Sequence, residues 1–139
     1  MQTFHSHRPD DTLAAGRELG ARLAPGDCVA LEGELGAGKT HFVQGLVAGW
    51  GGSGATSPTF TLVHEYETPR GPVFHLDLYR TDSAAEVWSA AQDELSAGDG
   101  LVVIEWADRF PELVPAGAWR VALVHAGGGR REIRVEEPA

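Results

Sequence analysis

CVALEGELGAGKTHFVQGL, residues 28–46, reads as a buried strand, a glycine-rich loop and the first turns of a helix. Cys28-Val29-Ala30-Leu31 is an unbroken apolar run of the kind a strand covered on both faces needs, and Phe42, Val43, Leu46 and Val47 recur at helical spacing over residues 41–50. Between them Gly33, Gly38, Lys39 and Thr40 complete the pattern G-x-x-x-x-G-K-[ST]. Each residue type in it has a phosphate-binding task. The glycines open backbone conformations closed to other residues, so successive N–H groups can turn inward around phosphate oxygens at the positive end of the following helix. Lysine adds a compact point charge for the β- and γ-phosphates, and threonine a hydroxyl for Mg²⁺. Lys39 is also the only lysine in the chain, the other ten cationic side chains being arginines. A general scarcity of lysine would explain the count but not the position. Arginine's broad planar fork would not fit the same depth without displacing the loop.

A phosphate loop needs an acid for its magnesium at the carboxyl end of a neighbouring buried strand. Leu101-Val102-Val103-Ile104 ends in Glu105, and Val73-Phe74-His75-Leu76 ends in Asp77, the second run alternating so that Val73, His75, Asp77 and Tyr79 share a face. A strand buried on both faces has reason to end in a charge where that charge meets a cation or water. Glu105 is therefore the expected metal-linked acid and Asp77 the one that positions water or a metal-bound water, although each also fits a plain solvated strand end. Ser57-Pro58-Thr59 follows a glycine-rich stretch and carries hydroxyls on a loop able to close over a γ-phosphate, as switch segments do; a loop-to-strand turn fits equally well. Trp106 is read first as a core or interface tryptophan, and second as a neighbour of the nucleotide.

Outward from this centre, Asp10 and Asp11 supply N-cap chemistry for an amphipathic helix over 12–24, ended by Pro25-Gly26-Asp27. Residues 62–67 and 73–79 form a hairpin around Pro69-Arg70-Gly71-Pro72, and Ser83-x-x-Glu86 is a capping box opening a helix to about residue 95. A terminal hairpin pairs 119–125 with 132–135 across Gly127-Gly128-Gly129. The expectation is one α/β domain over residues 1–139, a three-layer α/β/α P-loop arrangement with a mainly parallel central sheet and added antiparallel hairpins.

Composition narrows the function. Cys28 is the only cysteine, which excludes an intrachain disulfide and fits a reducing, cytoplasmic setting. The chain has no apolar stretch of the roughly 18 residues a membrane span needs, and its N-terminus lacks the basic-then-apolar order of a signal peptide. A net charge of −9 is the wrong sign for gripping nucleic-acid phosphates, so any nucleic-acid role should run through a protein partner. The histidines at 5, 7, 41, 64, 75 and 125 show no zinc-like spacing, and no structural metal site is assigned.

GELGAGKTHFVQGL, SPTFTLVHEYE, FHLDLYR and VVIEW followed by LVP resemble, in order and spacing, the signature blocks of the TsaE (YjeE) family, bacterial ATPases of tRNA threonylcarbamoyladenosine synthesis. The resemblance runs from Thr12 to about Arg131. It implies that Gly36, Ala37, Gly38, Lys39, Thr40 and His41 bind ATP or ADP, that Thr40 and Glu105 hold Mg²⁺, that Asp77 is needed for hydrolysis and that Thr59 belongs to a switch-like loop. It further implies action with TsaB and TsaD proteins. Two departures stand out: His41 replaces a frequent second threonine, and the helix after Ser83 lacks a glycine common in the family. A GTPase would need an Asn-Lys-x-Asp guanine reader, and the chain has no asparagine. A small-molecule kinase would share the loop but usually adds an arginine-rich lid. A nucleotide-dependent binding switch with negligible turnover is the third reading.

Overall fold

The apolar run before the glycine-rich loop becomes β2 (Cys28–Gly33), the middle strand of a seven-stranded sheet. The computed structural model describes residues 2–33, 38–52, 63–78, 83, 85–87, 89 and 100–138. The other strands are β1 (Gln2–Ser6), β3 (Val63–Tyr66), β4 (Val73–Asp77), β5 (Leu101–Glu105), β6 (Trp119–Gly127) and β7 (Arg130–Glu136), and the two long helices are α1 (Pro9–Arg22) and α2 (Lys39–Trp50). The spatial order is β1-β7-β6-β2-β5-β4-β3. The four central strands β6, β2, β5 and β4 run parallel, and β1, β7 and β3 add antiparallel edges. Parallel strands bring their carboxyl ends to one edge. Register aligns Leu31 of β2 and Asp77 of β4 with Glu105 of β5.

Helices α1 and α2 cover one face, where Val29, Leu31, Val73, Leu101, Val103, Val121, Leu123, Ile133 and Val135 pack against Leu19, Phe42, Leu46 and Trp50. The alternate residues Cys28, Ala30, Phe74, Leu76 and Ile104 form a second cluster with Val87, from the helical residues 85–87, and with two single 3₁₀ turns, Ala107–Arg109 and Pro111–Leu113. That makes three layers. The helix pair is unusually close. A methyl added at Gly16 would overlap the Phe42 carbonyl oxygen, and one at Gly45 the Leu13 carbonyl oxygen, so only glycine lets these backbones meet. Burial in the second cluster pushes the Cys28 thiol up to about 12, with the Asp27 carboxylate adding to the shift.

Several boundaries differ from the sequence expectation for local reasons. Helix α1 starts at Pro9, because proline is pre-set for the first helical position; Asp11 lies inside the first turn and its Oδ2 accepts the His7 N–H at 3.0 Å. Leu23 is already extended, which ends the helix before residue 24. Strand β4 is buried from Val73 to Leu76, because apolar clusters lie on both faces. The capping-box serine is in place, with Ser83 Oγ accepting the Glu86 N–H at 3.1 Å. The β3–β4 turn is clasped to the helix ends: Trp50 Nε1 donates to Gly71 O at 3.2 Å, while Arg70 lies 4.1 Å over the Trp50 ring and donates to Leu23 O at 2.6 Å. No described helix is long and apolar enough to cross a membrane.

Candidate functional site

Gly38 carries the chain into α2 in the left-handed conformation, φ 96° and ψ 16°, which glycine adopts without a Cβ clash. Its carbonyl accepts the Phe42 N–H at 3.0 Å, starting the helix two residues earlier than the apolar pattern alone indicates. Lys39 is the first helical residue and is 6% exposed. Its Nζ donates to the carbonyl of Gly33, the last residue of β2, and stands 3.5 Å from the centroid of the Trp106 ring. Desolvation holds the ammonium below its ordinary pKa, and the nearby charges of Glu105, Asp108 and Asp77 oppose that shift. The one lysine thus lies against an aromatic face and within the field of three acids.

Two of those acids sit on adjacent strand ends, Asp77 on β4 and Glu105 on β5, paired in register with each other, and Glu105 also pairs with Leu31 of β2. Both belong to the residue parity that faces α1 and α2, together with His75 and Val103. Glu105 is buried, and its Oε2 lies 2.7 Å from His75 Nε2, also buried. An ionised Glu105 can only accept, so this contact needs the proton on Nε2. The Tyr66 ring stacks on His75 with centroids 6.4 Å apart. The imidazole therefore anchors one oxygen of a buried carboxylate at the sheet edge beside Lys39.

Trp106 follows Glu105 with φ 61°, the only positive φ of a non-glycine among the described residues. This conformation costs roughly 1–2 kcal/mol in an L-residue. It ends β5 and swings the chain into the 3₁₀ turn, bringing the indole over Lys39 while part of it packs on the second apolar cluster. The half-buried indole thus touches both the second apolar cluster and Lys39. Of the sequence-predicted residues, Gly38, Lys39, Asp77 and Glu105 converge. Thr40 and His41 follow on the first turn of α2 and are exposed. Gly36, Ala37 and Thr59 lie outside the described residues, as do Ser57, Pro58 and Tyr79.

Sequence reasoning passed over His75 and Asp108. His75 carried a signal in its face-sharing with Asp77, but its partner is on another strand. Asp108 sits in a 3₁₀ turn and carries no periodicity. Among the described residues no three His, Cys, Asp or Glu side chains form a ready-made metal cage.

Comparison with known proteins gives concordant matches. The family model described as "Threonylcarbamoyl adenosine biosynthesis protein TsaE" matches residues 6–133. The tRNA threonylcarbamoyladenosine biosynthesis protein TsaE of Bacillus subtilis (strain 168) is 37% identical over 126 residues, covering 90% of this chain and 78% of the relative. The protein of the same name from Treponema pallidum (strain Nichols) is 38% identical over 131 residues, covering 94% and 96%. The crystal structure of YdiB from Bacillus subtilis matches with a TM-score of 0.79 at 32% identity, covering 99% of this chain and 86% of that one.

Proposed function

The chain belongs to the TsaE family, and from that premise we propose that it hydrolyses MgATP as a component of the machinery that makes threonylcarbamoyladenosine in tRNA, acting with TsaB and TsaD proteins in the cytoplasm. The observation that carries the ATPase reading is Lys39. A buried ammonium at the first position of a helix, held by a backbone carbonyl and an aromatic face, carries a charge-assisted donor that phosphate oxygens can take up.

The donor set suits magnesium. The Thr40 hydroxyl and the Glu105 and Asp77 carboxylates are hard oxygen donors at one end of the sheet, and Mg²⁺ bound with a nucleotide takes only one or two protein oxygens beside the phosphates. Thr40 and Glu105 would hold it. When bound, it would neutralise charge on the β- and γ-phosphates. His75 fixes one Glu105 oxygen and leaves the other to meet a cation. Asp77, beside Glu105, orients the attacking water and accepts its proton as the new bond to the γ-phosphorus forms and the bond to the β–γ bridging oxygen breaks, releasing ADP and phosphate. Lys39 stabilises charge building on the β–γ bridge and γ-oxygens. Gly36, Ala37, Gly38 and His41 contribute backbone N–H groups to the phosphates, and Thr59 a hydroxyl at the γ-phosphate.

The reading is tested by titrating the protein with ATP, ADP and GTP, with and without Mg²⁺. Adenine nucleotides should bind more tightly with the metal and ahead of GTP. Absence of ATP binding under both conditions would remove the proposal.

A further inference from the structure

Strand β5 stops at Glu105. Trp106 takes the left-handed conformation and turns the chain into the 3₁₀ turn Ala107–Arg109, so Asp77 and Glu105 are the last residues that β4 and β5 pair in register. Leu78 comes next after Asp77, with its side chain fully buried in the second apolar cluster. Its carbonyl lies past the last pair of the ladder and is met by a side chain: Arg109 Nη1 donates to Leu78 O at 3.1 Å. A guanidinium therefore donates where β5 no longer offers a backbone N–H.

Arg109 is anchored at its own end as well. Its N–H donates to Trp106 O at 3.0 Å, closing the turn, and Ala107 is buried in the second cluster. The Arg109 guanidinium carbon lies 5.6 Å from the centroid of the Phe110 ring, which packs on that same cluster. This short segment reaches both halves of the site. Trp106 covers Lys39 and Asp108 adds to the field around it, while Arg109 holds the backbone just beyond Asp77.

The aim of Asp77 matters for the step assigned to it. A general base works only within hydrogen-bond reach of the proton it takes, and a misplacement on the order of 1 Å costs up to about a hundredfold in rate. Asp77 is half-buried at the last rung of the ladder, so the direction of the backbone there bears on where its carboxylate reaches. Strand ends are where a sheet opens first.

We infer that Arg109 is a positioning residue for hydrolysis: by holding the Leu78 carbonyl it fixes the end of β4 and with it the aim of the Asp77 carboxylate. The role rests on the reading of Asp77 as the acid that orients the attacking water. Arg109 acts through Asp77, so its loss lowers turnover and spares nucleotide binding. Arg109 is exposed overall, and truncating it opens no cavity in the core.

Single-turnover ATP hydrolysis and calorimetric MgATP binding test this in wild type, Arg109→Ala, Arg109→Lys, Asp77→Asn and the double variant Arg109→Ala with Asp77→Asn. Arg109→Ala should slow hydrolysis by about tenfold and keep MgATP affinity within about twofold of wild type. Arg109→Lys still offers a charged N–H donor and should recover to within about threefold of the wild-type rate. In the Asp77→Asn background, Arg109→Ala should change the remaining rate by less than about twofold, because the two residues act as one unit. A full tenfold loss in that background overturns the inference, as does a wild-type rate in Arg109→Ala, a matching loss of MgATP affinity, or a failure of Arg109→Lys to recover. Asp77→Asn hydrolysing ATP at the wild-type rate instead removes the role given to Asp77, and wild type that does not bind MgATP removes the nucleotide reading itself.

Discussion

Lys39 is held by contacts that a nucleotide can replace: the Gly33 carbonyl, the Trp106 ring and the more distant acids Glu105, Asp108 and Asp77. Lys39→Ala removes one charge-assisted contact in a water-poor site, worth about 2–5 kcal/mol of transition-state stabilisation. Steady-state ATP hydrolysis should fall by roughly thirtyfold or more while the circular dichroism spectrum stays native. Wild-type turnover in that variant would end the phosphate-loop account. The two acids separate by kind of effect. Glu105 is buried and braced by His75, so Glu105→Gln should weaken the magnesium dependence of ATP binding. Asp77 is half-buried at the end of β4, and Asp77→Asn should lower turnover with binding nearly intact. Binding titrations beside single-turnover rates distinguish them; the opposite pattern would reverse the assignment.

At the scale of elements, the tight seam between α1 and α2 holds α2, and with it Lys39, against the sheet. Gly45 abuts the Leu13 carbonyl and Gly16 the Phe42 carbonyl, backbone against backbone. Gly45→Ala cannot be absorbed by a flexible side chain and should lower unfolding stability by about 1–3 kcal/mol or more. A urea denaturation midpoint equal to wild type would show that the helices can part without cost. This seam marks where sequence reading stops. The strand before the glycine-rich stretch and the helix after it were legible because each is a local pattern: an apolar run and a helical repeat. The terminal hairpin was legible for the same reason. The His75–Glu105 contact was not, because it depends on β4 and β5 lying side by side in one register although 30 positions separate the two residues. Trp106 over Lys39 depends on a left-handed tryptophan, which no propensity indicates. The glycines of α1 and α2 lower helix propensity taken singly, and their purpose emerges only when the two helices meet.

For the molecule as a whole, the parallel centre of the sheet gathers the ends of β2, β4 and β5 at one edge, so Gly33 and the acids Asp77 and Glu105 lie at the same edge. The rest of the surface belongs to an acidic chain of net charge −9 with one lysine, and that lysine is buried at the loop. Its ten arginines are outnumbered by 20 acids, so the net field opposes tRNA phosphates and a part in tRNA modification is expected to pass through protein contacts. The isolated chain should show no salt-sensitive retention of tRNA at low ionic strength, and tight retention would argue for direct RNA binding. The most direct test of the whole account is MgATP hydrolysis by this protein measured alone and again with TsaB and TsaD added. The account predicts slow turnover alone and a clear rise with the pair, abolished in Lys39→Ala; turnover indifferent to the pair would contradict it.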